Sequence, residues 1–248
     1  MLYVILLGVD VTRKLFYIIV VAGILVIFIT TLFLRGSRQA SSIKLEVKGL
    51  YIDDSNGYPS IIIDFTANKY GFVFKLFDER GGLIDMKTPI EGATRISLSL
   101  TGLKPYITIT EPRTYVLKVF YNDREVYSKT INVNGASILA ELLECDVEKS
   151  TSELKLLSLY IWVKNTGDAP LYLCDLACTP PLEVYINGEK AQFYLSRELL
   201  VIRPGEIQVV KISLLPVAIK NPIVNVEIII GEIKETLTFN LKETLKLE

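Results

Sequence analysis

Residues 43–48 read IKLEVK, and their apolar side chains alternate with charged ones. A period of two places the apolar side chains on one face, which is typical of a half-buried β-strand. Similar short stretches follow, separated by turn signals such as Asn56-Gly57. This pattern predicts an immunoglobulin-like β-sandwich over residues 43–134. Its predicted strands are 43–48, 60–66, 72–78, 83–86, 94–101, 115–121 and 125–133.

A second set of strand-like stretches follows residues 134–137, which read NGAS and interrupt the alternation. It predicts a second immunoglobulin-like sandwich over residues 140–242, followed by a charged tail at 243–248. Leu154–Val163 is apolar on both faces, so we expect it to be a central strand. The predicted fold class is therefore all-β, with two tandem sandwiches.

An apolar segment precedes the sandwiches. Residues 15–34 read LFYIIVVAGILVIFITTLFL and contain no charge. A helix of this length spans a hydrocarbon core of roughly 30 Å, which predicts a transmembrane signal anchor with the lipid bilayer as a partner. Residues 1–14 are then a cytoplasmic or interfacial segment and residues 35–42 a linker. Because long domains translocate largely regardless of charge, we expect the sandwiches outside the cytoplasm.

Composition limits the chemistry. The chain has 248 residues, with 27 Lys and Arg, 28 Asp and Glu, and no histidine. The near-zero net charge argues against nucleic acid as a partner, and the lack of histidine excludes Ser-His-Asp and Cys-His catalysis and HExxH zinc sites. The chain has no P-loop or GxGxxG motif. We therefore expect no enzyme, no catalytic residue, no metal and no cofactor, although a serine–lysine hydrolase needs no histidine and stays open as an alternative.

The second sandwich carries two turn motifs that resemble a known group. Residues 163–171 read VKNTGDAPL and residues 203–206 read RPGE. They resemble the V-N-T-G and P-G-E pattern of adhesion-type, CARDB-like Ig-like modules of archaeal and bacterial surface proteins. The single anchor before an Ig-like domain also resembles archaellum stator accessory proteins and archaeal pilins. These resemblances imply an extracytoplasmic binding or structural role, without catalytic residues to carry over.

The three cysteines are Cys145, Cys174 and Cys178. Without histidine they fall short of the four ligands of a structural zinc site. If residues 174–178 are an extended strand, the Cα atoms of Cys174 and Cys178 lie about 13 Å apart, too far for a disulfide. Cys145 faces inward at a similar height, so we expect a Cys145–Cys174 disulfide with Cys178 left over. Three buried free thiols remain the alternative.

Strand alternation also predicts where the loops lie. Loops 55–58, 79–82 and 102–113 of the first sandwich should face loops 165–170 and 203–206 of the second, with Tyr106 packed between the sandwiches. Loops 68–71, 87–92 and 122–124 should lie at the other, membrane-facing end of the first sandwich.

Binding residues usually lie on loops held by a rigid sandwich. The tip of the second sandwich is predicted to comprise loops 149–152, 178–181, 196–198 and 216–222. We expect Trp162, in the central strand, to be a core anchor instead. The candidate partner-binding residues are Lys149, Thr151, Thr179, Pro180, Arg197 and Lys220.

Together these patterns favour a membrane-anchored extracytoplasmic protein. It would present two Ig-like domains to a cell-envelope protein such as an S-layer, a pilus or an appendage machine. A pilin-like filament subunit is the structural alternative, and a histidine-free membrane-bound hydrolase is the catalytic one. A homo-oligomer also stays open.

Overall fold

A computed structural model describes residues 43–149, 153–174 and 177–241. The predicted anchor at 15–34, the linker at 35–42 and the tail at 243–248 lie outside the described residues. Within the described residues, no helix is long and apolar enough to cross a membrane. Every element that the structure describes between Leu45 and Asn240 is a β-strand, so this part of the chain is all-β.

The first half of the described chain forms two facing sheets, with strand orders β1-β2-β5 and β4-β3-β6-β7. Inward side chains of both sheets, such as Ile63, Phe74 and Leu117, are fully buried in one hydrophobic core. Each contributes about 1.5–3 kcal/mol of burial free energy. The strands are β1 (Leu45–Ser55), β2 (Tyr58–Ala67), β3 (Phe72–Asp78), β4 (Leu83–Lys87), β5 (Arg95–Ser99), β6 (Arg113–Tyr121) and β7 (Arg124–Val133).

The second half forms two four-stranded sheets, β13-β15-β9-β8 and β12-β11-β16-β17, and a two-stranded sheet, β10-β14. A second core, separate from the first, includes Leu159, Ile161, Val184 and Val226. The strands are β8 (Ile138–Lys149), β9 (Leu154–Asn165), β10 (Leu171–Leu173), β11 (Leu182–Ile186), β12 (Glu189–Lys190), β13 (Phe193–Leu195), β14 (Leu200–Ile202), β15 (Ile207–Ile219), β16 (Ile223–Ile230) and β17 (Ile233–Asn240).

The strand predictions are largely confirmed. Strand β9 is central, with β8 on one side and β15 on the other. Strand β8 begins at Ile138, two residues before the predicted start of the second sandwich, and the short β12 was not predicted.

The predicted Cys145–Cys174 disulfide is wrong. The structure bonds Cys174 to Cys178 across a Cα–Cα distance of 5.7 Å. Strand β10 ends at Leu173, so the spacing of an extended strand does not apply to Cys174 and Cys178. Cys145 is a buried free thiol, and burial, together with the neighbouring Asp146 and Glu144 charges, raises its pKa. It therefore behaves as a small apolar core residue.

Candidate functional site

The two sandwiches meet through a buried tyrosine, in a region that we call the junction. Tyr172, on β10, is fully buried, and its hydroxyl donates a hydrogen bond of 2.7 Å to Oδ1 of Asp54 on β1. Its backbone amide donates to Oγ1 of Thr108 in the first sandwich at 3.0 Å. Burial, followed by the Asp54 hydrogen bond and the Asp54 and Asp53 charges, strongly raises the pKa of Tyr172. The phenol therefore stays neutral and acts as a hydrogen-bond donor.

A short backbone pairing also crosses the junction. Ile107 and Thr179 form a parallel bridge. Thr108 N donates to Thr179 O at 2.9 Å, and Thr179 N donates to Tyr106 O at 3.1 Å. The ring of Tyr106 packs edge-on against Tyr172, with centroids 6.2 Å apart. Tyr172 forms a small apolar cluster with Cys174 and Cys178, and Tyr106 packs against this cluster. The prediction that Tyr106 packs between the sandwiches is confirmed.

The linker between the two sandwiches, residues 134–137, is held by an acidic side chain. The carboxylate of Asp168 accepts hydrogen bonds from the backbone amides of Asn134 and Gly135 and from Asn134 Nδ2, at 3.0–3.1 Å. The neighbouring Ala169 is fully buried within the core of the first sandwich. Gly167 lies so close to the linker that an added Cβ would stand 2.6 Å from Ser137 N.

The turn motifs of the second sandwich organise this region. Asn165 is fully buried, and its Nδ2 donates to the carbonyl oxygens of Ala169 and Ile202, at 2.8 and 3.0 Å. Its Oδ1 accepts from Gly167 N at 3.0 Å. In the second turn motif, Arg203 Nε lies 3.0 Å from Asp53 Oδ1 of the first sandwich. Loops 165–170 and 203–206 therefore lie at the junction, as predicted.

An exposed sheet face of the second sandwich carries the single tryptophan. Trp162 pairs with Glu141 of β8 and Val209 of β15, and its side chain is half-buried. The inward residues of β9 are its neighbours in the alternation, Ile161 and Val163. The prediction of Trp162 as a core anchor is therefore wrong, because both faces of β9 are apolar and the alternation directs Trp162 outward.

Apolar side chains surround this tryptophan. Val209 is 61% exposed, and Ile207 and Leu139 are also exposed. By the strand register, Ile207 and Leu139 both pair with Lys164, the next outward residue of β9. We call these residues the Trp162 face: Leu139, Glu141, Trp162, Lys164, Ile207 and Val209.

A polar cluster borders the Trp162 face. Lys211 Nζ donates to the hydroxyl of Tyr160 at 2.6 Å, and this bond raises the pKa of Lys211. The carboxylate of Asp146 accepts from Ser158 Oγ and lies 3.9 Å from Lys211 Nζ. The apolar centre thus has a charged rim.

The candidate partner-binding residues do not form one cluster. Lys149 pairs with Leu154 at the start of β9, and so does Ile219, which precedes Lys220. Lys149 and Lys220 therefore lie at the end opposite the junction, as predicted. Lys220 lines an open groove of 1070 Å³ there, together with Lys190, Gln192 and Asn225.

The other candidates lie elsewhere. Thr179 and Pro180 belong to the junction, because the Thr179 backbone pairs with the first sandwich, so their assignment to the tip is wrong. Arg197 follows Ser196, whose amide donates to Lys211 O midway along β15, so its assignment to the tip is also wrong. Thr151 lies outside the described residues. In the described part of the chain, no three potential metal-ligating side chains come together.

Comparisons with known proteins add little. No protein-family model and no curated protein matches the chain. The structure is similar to a two-domain fibronectin type III segment of chicken tenascin, with 12% identity, a TM-score of 0.29 and coverage of 78% of this chain and 97% of that one. A biofilm-associated protein BSP domain has 8% identity and a TM-score of 0.25, with 79% of this chain and 29% of that chain covered.

A β-glucuronidase of glycoside hydrolase family 2 has 10% identity and a TM-score of 0.25, with 80% of this chain covered. The match spans only 20% of the length of that enzyme. At these scores, none of the comparisons assigns a family or an activity to the chain.

Proposed function

We propose that the chain is a membrane-anchored protein of the cell envelope whose two immunoglobulin-like sandwiches lie outside the cytoplasm and bind a protein partner. The uncharged segment 15–34 supplies the anchor. The Cys174–Cys178 disulfide supports an oxidising compartment, because cytosolic thiols are normally kept reduced. The role is structural and adhesive, not catalytic.

The junction is the observation that carries this proposal. Hydrogen bonds join Tyr172 to Asp54 and Thr108, and Asp168 to the linker. Two domains on a flexible linker lose conformational freedom when a partner immobilises them, whereas a pair that is already locked loses little. The junction therefore suits a protein that holds its two sandwiches, and a binding surface on them, in one fixed arrangement.

The Trp162 face supplies the binding surface in this proposal. Protein interfaces place Trp and Tyr in an apolar centre and charged groups at the rim. The β8 side of the face carries the exposed carboxylates of Glu141 and Glu144. Charge complementarity thus favours a partner protein with an apolar patch flanked by basic residues on one side.

Photo-crosslinking in intact cells tests the proposal. With p-benzoylphenylalanine at position 209 of the full chain, we expect capture of one envelope protein with this surface chemistry. The purified partner should then bind the wild-type chain and lose affinity at least tenfold with Trp162→Ala. The same photo-crosslinker at position 236, on the exposed side of β17 in the opposite sheet, is the control.

Two results would overturn the proposal. Capture of cytoplasmic proteins alone contradicts the extracytoplasmic location. Equal capture from positions 209 and 236, or unchanged affinity of Trp162→Ala, contradicts the role of the Trp162 face.

A further inference from the structure

The first sandwich has an end that faces away from the junction, which we call the β1 end. Strand β1 begins there at Leu45, which pairs with Ala67 at the end of β2. The β2–β3 loop, residues 68–71, and the β4–β5 loop, residues 88–94, both lie at this end and line one shallow cavity of 370 Å³.

Two large apolar side chains project from these loops into solvent. Tyr70 is 71% exposed and Ile90 is 83% exposed. Both line the shallow cavity, together with Phe65 and Phe72 of the adjoining strands. Exposing an isoleucine side chain to water forgoes about 1.5–3 kcal/mol of burial free energy. Two such side chains on neighbouring loops therefore indicate an interaction surface, which a partner molecule or a membrane covers.

The position of this end along the chain favours the membrane as the surface that covers these loops. The uncharged segment ends at Leu34, and eleven Cα–Cα steps separate Leu34 from Leu45. A chain of this length reaches about 40 Å at most. The opposite end of the first sandwich is occupied by the second sandwich through Tyr106, Thr108 and Thr179. The β1 end is thus the end that the second sandwich leaves uncovered, and β1, the first strand after residues 15–34, begins there.

The residue types fit a lipid interface. Tyrosine is enriched where hydrocarbon meets the polar headgroups, because its ring is apolar and its hydroxyl is polar. Lys69, next to Tyr70, has a long apolar stem and a charged end that reaches headgroup phosphates. Glu91 follows Ile90, so the two loops carry balanced charge and suit zwitterionic headgroups.

We propose that the loops at the β1 end rest on the membrane surface, with Tyr70 and Ile90 inserted among the lipid headgroups. This inference rests on the proposed function, because it requires the anchor at 15–34. The insertion fixes the tilt of the sandwiches relative to the membrane. It therefore adds a second, peripheral lipid contact to the anchor.

Fluorescence of the full chain in phosphatidylcholine vesicles tests the insertion. Ile90→Cys, labelled with an environment-sensitive fluorophore, is compared with Leu103→Cys, both in a Cys145→Ala background. Leu103 is 94% exposed in the loop after β5, at the junction end, so it is an equally exposed apolar position away from the β1 end. Both substitutions replace exposed side chains and leave the cores intact.

We expect nitroxide-labelled lipid to quench the label at position 90 several-fold more than the label at position 103. A label at Tyr70→Cys should behave like the one at position 90. Equal quenching at positions 90 and 103 overturns the insertion. In a separate sample of unlabelled Ile90→Cys in the vesicles, disulfide formation between two copies also overturns it, because a second copy would then cover this surface.

Retention of the protein in the vesicles separates this inference from the proposed function. If an alkaline wash removes the chain from the vesicles, both the anchor and the insertion are wrong. If the chain is retained and the label at position 90 remains unquenched, the insertion alone is wrong.

Discussion

The hydroxyl of Tyr172 donates a hydrogen bond of 2.7 Å to Oδ1 of Asp54, across 118 positions of sequence. Tyr172 belongs to the second sandwich and Asp54 to the first. The backbone of the fully buried Tyr172 also bonds to the Thr108 hydroxyl. The Tyr172 amide donates to Thr108 Oγ1, and Thr108 Oγ1 donates to the Tyr172 carbonyl oxygen. Two segments of the first sandwich therefore hold one residue of the second. The junction therefore includes specific, directional contacts as well as apolar packing.

Removal of the Tyr172 hydroxyl should weaken the junction. Tyr172→Phe keeps the ring and loses the hydrogen bond to the Asp54 carboxylate. Hydrogen bonds to charged groups contribute about 1.5–3 kcal/mol, so we expect a loss of this size in the free energy of unfolding. Urea denaturation of the detergent-solubilised chain measures it. Tyr194→Phe, at an exposed position on β13, is the matched control and should change stability little; equal effects of the two variants would contradict this role.

Alkaline pH should destabilise the protein partly through the same residue. The pKa of Tyr172 is raised from 10.0 by burial and by the Asp54 hydrogen bond. Below pH 10 both states hold the phenol proton, whereas above it the unfolded chain releases the proton and the folded chain keeps it. The free energy of unfolding therefore falls as pH rises above 10. Tyr115, whose pKa burial also raises, contributes in the same direction.

Comparison of pH slopes isolates the contribution of Tyr172. In Tyr172→Phe, the free energy of unfolding should fall less steeply above pH 10, because unfolding then releases about one proton fewer per molecule. Denaturation midpoints measured at several alkaline pH values give this slope. The prediction requires that Tyr172 loses its proton above pH 10 in the unfolded chain and keeps it in the folded chain. If the wild type and the variant show the same slope, this prediction is wrong.

Alternation was enough to predict most strands, because the side-chain period of a strand appears directly in the sequence. It was not enough to orient Trp162. Both faces of β9 are apolar in sequence, so only the register with Glu141 and Val209 shows which face is exposed. The choice of face depends on strands that are distant in sequence.

The junction partners were partly predictable. The loops that meet there follow from counting strand directions, and Tyr106 was placed correctly. The partners of Tyr172 lie in the first sandwich and those of Asp168 in the linker between the sandwiches. Neither set of contacts has a sequence signal of its own. The Cys174–Cys178 disulfide does not follow from strand spacing, because both cysteines lie beyond the end of β10 at Leu173.

A methyl group at Gly167 should disrupt the linker. An added Cβ would overlap the carbonyl oxygen of Gly135 and stand 2.6 Å from Ser137 N. These are backbone atoms that cannot rotate away, so we expect Gly167→Ala to cost roughly 3 kcal/mol, at the upper end of overpacking effects. Calorimetry should show a lower midpoint or a transition that separates into two as the sandwiches uncouple.

Gly49→Ala is the control for this substitution. An added Cβ at Gly49 would lie 3.4 Å from the Asp64 side chain, close to ordinary contact. Its midpoint should stay near that of the wild type. A Gly167→Ala variant as stable as Gly49→Ala would mean that the linker is not packed as the structure shows.

Alkylation should distinguish the three cysteines. Cys174 and Cys178 form the disulfide, and Cys145 is the buried free thiol, so iodoacetamide should leave the folded protein unmodified. In guanidinium without a reductant, it should modify Cys145 alone, because unfolding removes the burial that raises the pKa of this thiol. All three cysteines should react once a reductant is added. Mass spectrometry of the digested protein reads out each state, and a peptide that links Cys145 to Cys174 would contradict the observed pairing.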